Sequence, residues 1–134
     1  MSVSVAFQTA VFEALTNDGA LAKLIGDRVF DNVPQDAEYP YVSFGPTDFF
    51  PSDVEGVSGR VEALQIDVWS EDHGRKRECK TICDAVKSAL HEVDLELDAG
   101  AVDRIQVTGV RVFLDKDNIT AHGIISVECE IEEG

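Results

Sequence analysis

The run "CKTICDAVKSALHEV", Cys79 to Val93, constrains the fold more than any other stretch of the chain. Cys79, Ile82, Cys83, Val86, Leu90 and Val93 recur at i, i+3, i+4 and i+7, which places one apolar stripe along one face of an α-helix. Such a helix has to bury that stripe against another element. The segments around it have the period of two that belongs to strands. In "RVEALQIDVWSED", Leu64, Ile66 and Val68 alternate with Glu62, Gln65 and Asp67, and Trp69 ends the strand on the opposite face. In "AHGIISVECEIEE", Ile125, Val127, Cys129 and Ile131 alternate with Ser126, Glu128, Glu130 and Glu132.

Between them, "RIQVTGVRVFLDKDN" alternates as Ile105 and Val107, then as Val110, Val112 and Leu114. The change of phase at Gly109 predicts a β-bulge. "DKDN" predicts the turn of a hairpin joining the last two strands. "LELDAG", Leu95 to Gly100, reads as a short strand and turn. Ser70 or Asp72 stands where it can cap the long helix.

The N-terminal part is read in the same way. Phe7, Ala10, Val11, Ala14 and Leu15 mark an amphipathic first helix, and "DGALAKLIG" a short second one with Asp18 as N-cap and Gly26 as its stop. Val29-Phe30 predicts a short strand and Tyr41 to Gly45 another, with Pro40 holding Tyr39 extended. Thr47 to Gly59 reads as a polar loop. Met1 to Ser4 and Glu132 to Gly134 are expected to fray. The order helix, strands, helix, strands makes the fold α+β: an antiparallel sheet, with strands of mixed length, covered on one face by helices. The 134 residues suffice for one domain with a real core.

Charge narrows the function. Against 26 carboxylates stand only 11 Lys and Arg, a net charge of −15, so the molecule as a whole repels phosphate backbones. No apolar run approaches the ~18 residues that span a bilayer. Met1 to Leu15 has neither a basic leader nor a continuous apolar core, which reads as a chain without a secretory signal. Three cysteines are an odd number without a disulfide framework and fit reduced thiols.

Candidate chemistry is sparse. Cys79 and Cys83 lie four apart on one helix face and could share an ion, with His73 just upstream, but both share the stripe with Ile82, Val86 and Leu90. They read as core thiols, with Cys129 packed against them. Asp115 to Asn118 resembles the start of a calcium loop but lacks its glycine and its helices, and suits a turn better. His91 stands where a cation favours a helix C-terminus, and His122 starts the last strand. No nucleophile motif and no phosphate loop is present, so no catalytic residue, cofactor or metal ligand is assigned.

Two features call for contacts rather than chemistry. Phe49, Phe50, Pro51 and Val54 form an apolar cluster in the Thr47–Gly59 loop. This reads as a contact surface, the other reading being a loop folded back on its own core. "HGRKRECK" places Arg75, Lys76, Arg77 and Lys80 within six residues, on the solvent side of the start of the long helix. Glu128, Glu130, Glu132 and Glu133 form an acidic strand edge. Basic and acidic faces on one chain suit head-to-tail contacts in a ring.

Three stretches carry a family resemblance: "VFEALTNDGALAKLIGDRVFDNVPQDAEYPYVSFG", "LQIDVWSEDHGRKRECKTICDAVKSALHE" and "DKDNITAHGIISVECEI". In their order and spacing, from about Ala6 to Ile131, they resemble the tail completion (tail terminator) proteins of long-tailed phages, related prophages and gene transfer agents. The resemblance implies a structural protein with no catalytic residues, cofactor or membrane association. It implies a homo-oligomeric, six-fold ring on the last ring of tail tube protein, which stops tube growth and joins the tail to the head or its connector proteins. DNA would only pass through the channel, with the acidic bulk lining or flanking it and the basic helix start facing a neighbour. Assembly would take place in the host cytoplasm and the protein would end in the neck of the particle. A head–tail connector ring is the nearest alternative, and a small metal- or ligand-binding enzyme the alternative of another class.

Overall fold

The computed structural model describes residues 2–134. Helices α1 (Val3–Thr16) and α2 (Gly19–Ile25) lead into strands β1 (Val29–Phe30), β2 (Tyr41–Pro51) and β3 (Gly59–Glu71). Helix α3 (Arg77–Leu90) and strands β4 (Ala101–Leu114) and β5 (Thr120–Glu132) follow. The strands form one sheet in the order β1-β2-β3-β5-β4. Every pairing is antiparallel except that of β1 with β2, which is parallel. The fold is α+β, with a mixed, mostly antiparallel sheet.

Local sequence accounts for most boundaries. The Ser2 hydroxyl accepts from the Val5 N–H at 3.2 Å and opens α1, and the Asp18 carboxylate accepts from Leu21 N–H at 2.9 Å and opens α2. Gly26, at φ 63°, ends α2 as expected. The expected stripe of α3 is fully buried from Cys79 to Leu90, against Ile66 and Val68 of β3, Ile105 of β4 and Ile125 to Ile131 of β5. Phe7, Val11 and Leu15 of α1 and Leu21 and Ile25 of α2 complete the same core. The β4–β5 hairpin forms with its bulge between Val107 and Gly109, and a second register shift lies between Val102 and Arg104.

Several expectations are overturned. Ser70 and Asp72 do not cap α3, whose cap position is Lys76 and carries no side-chain hydrogen bond. His73 and Gly74, at φ 55° and 75°, turn the chain after β3 and leave both residues outside the first helical turn. Ser70 Oγ donates instead to Glu78 Oε1 at 2.6 Å, and Asp72 pairs with Arg75. Glu78 then stands in the first turn, where a carboxylate complements the helix dipole. Leu95 and Leu97 pack on the core without a ladder, so the alternation in "LELDAG" records an extended, half-buried segment rather than a strand.

The termini are tied down too. Ser4 Oγ donates to the Glu62 carboxylate, and Glu133 N–H donates to Ser58 O at 2.9 Å while its side chain pairs with Arg60. Fraying is therefore overturned for Ser2 to Ser4 and for Glu132 and Glu133, while Met1 lies outside the described residues. Glu62 falls on the same face as Leu64, not opposite it, and is buried there.

The largest correction concerns β2. Its register with β3 shifts between Phe44 and Thr47, at Gly45-Pro46, then resumes from Thr47↔Leu64 to Pro51↔Arg60. Phe49, Phe50 and Pro51 are thus strand residues, and only Val54 lies in the connection that follows. Pro46 has no N–H for a ladder, so the bulge sits where the sequence suggests a strand end. β3 supplies the partners that carry the strand onward.

Candidate assembly surfaces

The helices cover one face of the sheet and leave the other open. Alternation then assigns each strand residue to a face, and the ends of the strands differ in chemistry. At one end, β2, β3 and their connection form an arm. Ser52 N–H donates to Gly59 O at 2.8 Å, and Val54 and Val57 exchange backbone bonds at 3.0 and 2.8 Å. Asp53 Oδ1 accepts from Gly59 N–H at 3.0 Å. At the tip, Glu55 and Gly56 take φ 47° and 83°, the left-handed conformations of a tight turn. On this braced arm Phe50 and Val54 remain 60% and 64% exposed. Phe49 faces the helix side, where the Arg60 guanidinium carbon lies 3.9 Å from its ring centroid, while Phe50 projects to the open face.

The acidic residues belong to the same end. Glu128, Glu130 and Glu132 alternate on the open face of β5. They do not form a strand edge, because β5 lies between β3 and β4. An open hollow of about 360 Å³ runs between the arm and the sheet, lined by Val54, Glu55, Val57, Asp103, Glu130 and Glu132 among others.

The opposite end gathers cations, among the carboxylates Glu71, Asp72, Glu78, Asp115 and Asp117. Arg75 and Lys76 lie in the turn before α3 rather than on it, and Arg77 and Lys80 on its first turn, all exposed. Arg75 pairs with Asp72 at 2.9 Å, whereas Lys76, Arg77 and Lys80 form no ion pair among the described residues. The β4–β5 turn, with Lys116, leans on the same spot: a Cβ at Gly74 would stand 3.1 Å from Asn118 O. The cations and the arm thus mark opposite ends of β3.

The residues that suggested catalysis or metal binding are committed elsewhere. Cys79, Cys83 and Cys129 are all buried and free. A hydrogen bond with Cys79, together with burial, pushes the Cys83 thiol up from its ordinary range. Burial, with Glu62, Glu130 and Asp103 nearby, pushes Cys129 from 9.0 up to about 12. Cys129 therefore keeps its proton in the folded protein while an unfolded chain loses it above about pH 9. Stability from this group is complete below pH 9 and is lost as pH rises towards 12. Denaturant titrations should show the midpoint falling between pH 9 and 11, and falling less in Cys129→Ala.

Asp117 accepts from the N–H groups of Ile119 and Thr120 and from the Thr120 hydroxyl, at 2.9, 2.9 and 2.7 Å. These bonds, the Thr120 hydroxyl's first, hold its carboxyl below the usual range. Its lone pairs are used within the turn. Among the described residues, no group of three or more His, Cys, Asp or Glu is placed to hold a metal ion, and no helix is long and apolar enough to cross a membrane.

One feature escapes sequence reasoning. Tyr41, Trp69, His122 and Phe113 are register partners across β2, β3, β5 and β4, so they form a row on the open face at the cationic end. The single off-phase Trp69 is the only hint of it, since register is set by pairing and not by any one strand.

The family model of tail completion protein gp17 matches residues 9–132. The chain belongs to the tail completion protein family. The matched span coincides with the Ala6–Ile131 resemblance read in the sequence, and membership makes this a structural tail protein. Among solved structures, a chain from the virion of a native gene transfer agent particle superposes with a TM-score of 0.90 at 26% identity, covering 98% of each chain. The gp17 protein of bacteriophage SPP1 superposes with a TM-score of 0.65 at 25% identity, covering 96% of this chain and 91% of that one. No curated protein matches the sequence.

Proposed function

We propose that this tail completion protein caps the end of a tail tube as a ring, stops tube growth and presents the surface to which the head or its connector proteins join. It assembles in the host cytoplasm and remains in the neck of a phage or gene transfer agent particle. The observation that carries this reading is the likeness of the whole chain to a chain of an assembled particle. The separation of charge supports it. Cations at one end of the sheet and carboxylates at the other are complementary between copies arranged head to tail, a heterologous contact that closes into a ring when the rotation permits, here six-fold.

In that ring Lys76, Arg77 and Lys80, with Arg75, face Glu128, Glu130 and Glu132 of the next copy. Phe49, Phe50, Pro51 and Val54 contact a neighbouring subunit or the tube. Remaining carboxylates line or flank the channel, where their charge repels DNA and lets it slide.

Native mass measurement, alone and with tube protein, tests the reading. A hexamer, alone or on tube ends, is expected, and a monomer under both conditions would refute the ring. Reversing Lys76→Glu and Arg77→Glu should weaken assembly by about tenfold at low salt, and adding Glu130→Lys and Glu132→Lys should restore much of it. Phe49→Ser with Phe50→Ser should leave a folded protein that no longer arrests tube growth, as seen by tube length in electron micrographs. Tubes of normal length would remove these phenylalanines from the contact.

A further inference from the structure

The row of rings on the open sheet face is built, not incidental. Trp69 and His122 stack with centroids 3.8 Å apart and planes 12° apart, and Phe113 approaches His122 at 5.0 Å. At the other end of the row, Tyr39 and Phe30 lie 5.3 and 5.8 Å from Tyr41. A polar layer fixes the rings. His122 Nε2 stands 2.7 Å from Asp67 Oδ1, and since a carboxylate only accepts, Nε2 carries the proton. Gln65 Nε2 donates to the same oxygen at 3.0 Å, and Trp69 Nε1 donates to Ser43 Oγ at 3.2 Å. Gly45 makes room for this layer, because a Cβ there would come within 2.6 Å of Asp67 Oδ2. Tyr41, Trp69, Phe113 and His122 are partly buried, the His122 side chain 14% exposed, so a rigid aromatic platform is held ready with little conformational freedom left to lose on binding.

The geometry points to this platform as the docking site for the β2–β3 arm of a second copy of the chain. The arm carries four of the large exposed apolar side chains, Phe49, Phe50, Val54 and Val57, while Tyr39 and Ile119 flank the platform. Charge selects the same pairing. Residues 48–58 hold Asp48, Asp53 and Glu55 and no cation. Beside the platform, the Arg111 guanidinium lies 5.1 Å from the Phe113 centroid and forms no ion pair among the described residues. Of the carboxylates nearby, Asp67 is engaged by His122 and Gln65, whereas Glu71 has only a long 3.4 Å approach to the Thr120 hydroxyl, whose proton goes to Asp117 at 2.7 Å. The arm cannot reach its own platform: Val61, opposite Phe50, and Trp69 lie eight residues apart on β3, roughly 26 Å at about 3.3 Å per residue. The contact is therefore intermolecular. It rests on the ring reading and runs in the same sense, with the arm end of one copy against the cationic end of the next.

Trp69 is the only tryptophan, so its fluorescence reports on the platform directly. Acrylamide quenching of Trp69 is expected to fall several-fold when the protein assembles. Val54→Asp with Val57→Asp, at the exposed tip, should leave the thermal midpoint unchanged, weaken self-association by about tenfold and keep Trp69 open to quencher. Phe113→Ala, on the platform, should weaken it comparably. Mixing the arm variant with a Trp69→Phe copy that has an intact arm should protect the remaining tryptophan. Wild-type rings that leave Trp69 as accessible as in the monomer would overturn this contact and leave the ring standing. A protein that stays monomeric with and without tube protein would overturn both.

Discussion

Replacing Gly123 with alanine is expected to destabilise the fold by about 3 kcal/mol, through overpacking rather than through the backbone. Gly123 lies on β5 opposite Val68, beneath the first turns of α3. A Cβ there would stand 2.5 Å from Cys83 Sγ, 3.0 Å from Cys79 Sγ and 3.3 Å from Val68 Cβ. All three neighbours are fully buried, so none can swing into solvent. The helix has to lift from the sheet or the thiols must leave their rotamers, and close-packed interiors resist both. The thermal midpoint should fall by roughly 10 °C in a chain of this size. Because the clash is chiefly with one sulfur, Gly123→Ala combined with Cys83→Ala should recover much of the loss. That double-mutant cycle separates a local clash from a general intolerance of side chains at the site. Full stability of the single variant would show that helix and sheet are not in this contact.

Arg60→Ala carries the second large effect, about 3 kcal/mol or more. Glu62 is 1% exposed among apolar neighbours, and its partners are the Ser4 hydroxyl and the Arg60 guanidinium, which donates to it at 3.1 Å. The same guanidinium reaches Ser4 Oγ at 3.0 Å and Glu133 at 2.6 Å. It therefore ties α1, β3 and the C-terminus together. Without it a buried carboxylate is left with one hydroxyl, and an uncompensated buried charge is far costlier than a missing pair. Arg60→Met with Glu62→Met should accordingly be much more stable than Arg60→Ala, as measured by denaturant midpoints. If Arg60→Ala loses no stability, the cluster contributes nothing measurable.

Elements with strong local periodicity are legible in the sequence. The α3 stripe, the β5 alternation and the bulge at Gly109 are each produced by side chains within one segment. The second half of β2 is not legible in this way, because Gly45-Pro46 ends its local signal and its continuation depends on β3 opposite. Polarity assigns Glu62 to solvent, yet the partners that permit its burial, Ser4 and Arg60, come from two elements and cannot be paired by periodicity. Of the candidate contact residues, Phe49, Phe50 and the cations of the α3 start lie exposed as their sequence context implies. Glu128, Glu130 and Glu132 instead belong to an open face rather than an edge.

What the sequence by itself determined is the inventory of elements, the buried stripe with its cysteines, the excess of negative charge and the family. Each follows from composition or from the order of residues within a segment. Only the tertiary structure decided the strand order β1-β2-β3-β5-β4. That order moved the carboxylates off the edge, drew the cations and the arm to opposite ends, and aligned Tyr41, Trp69, His122 and Phe113. The reason is physical: a strand's own alternation says which residues share a face, but the neighbours of that face are chosen by backbone pairing with strands distant in the chain.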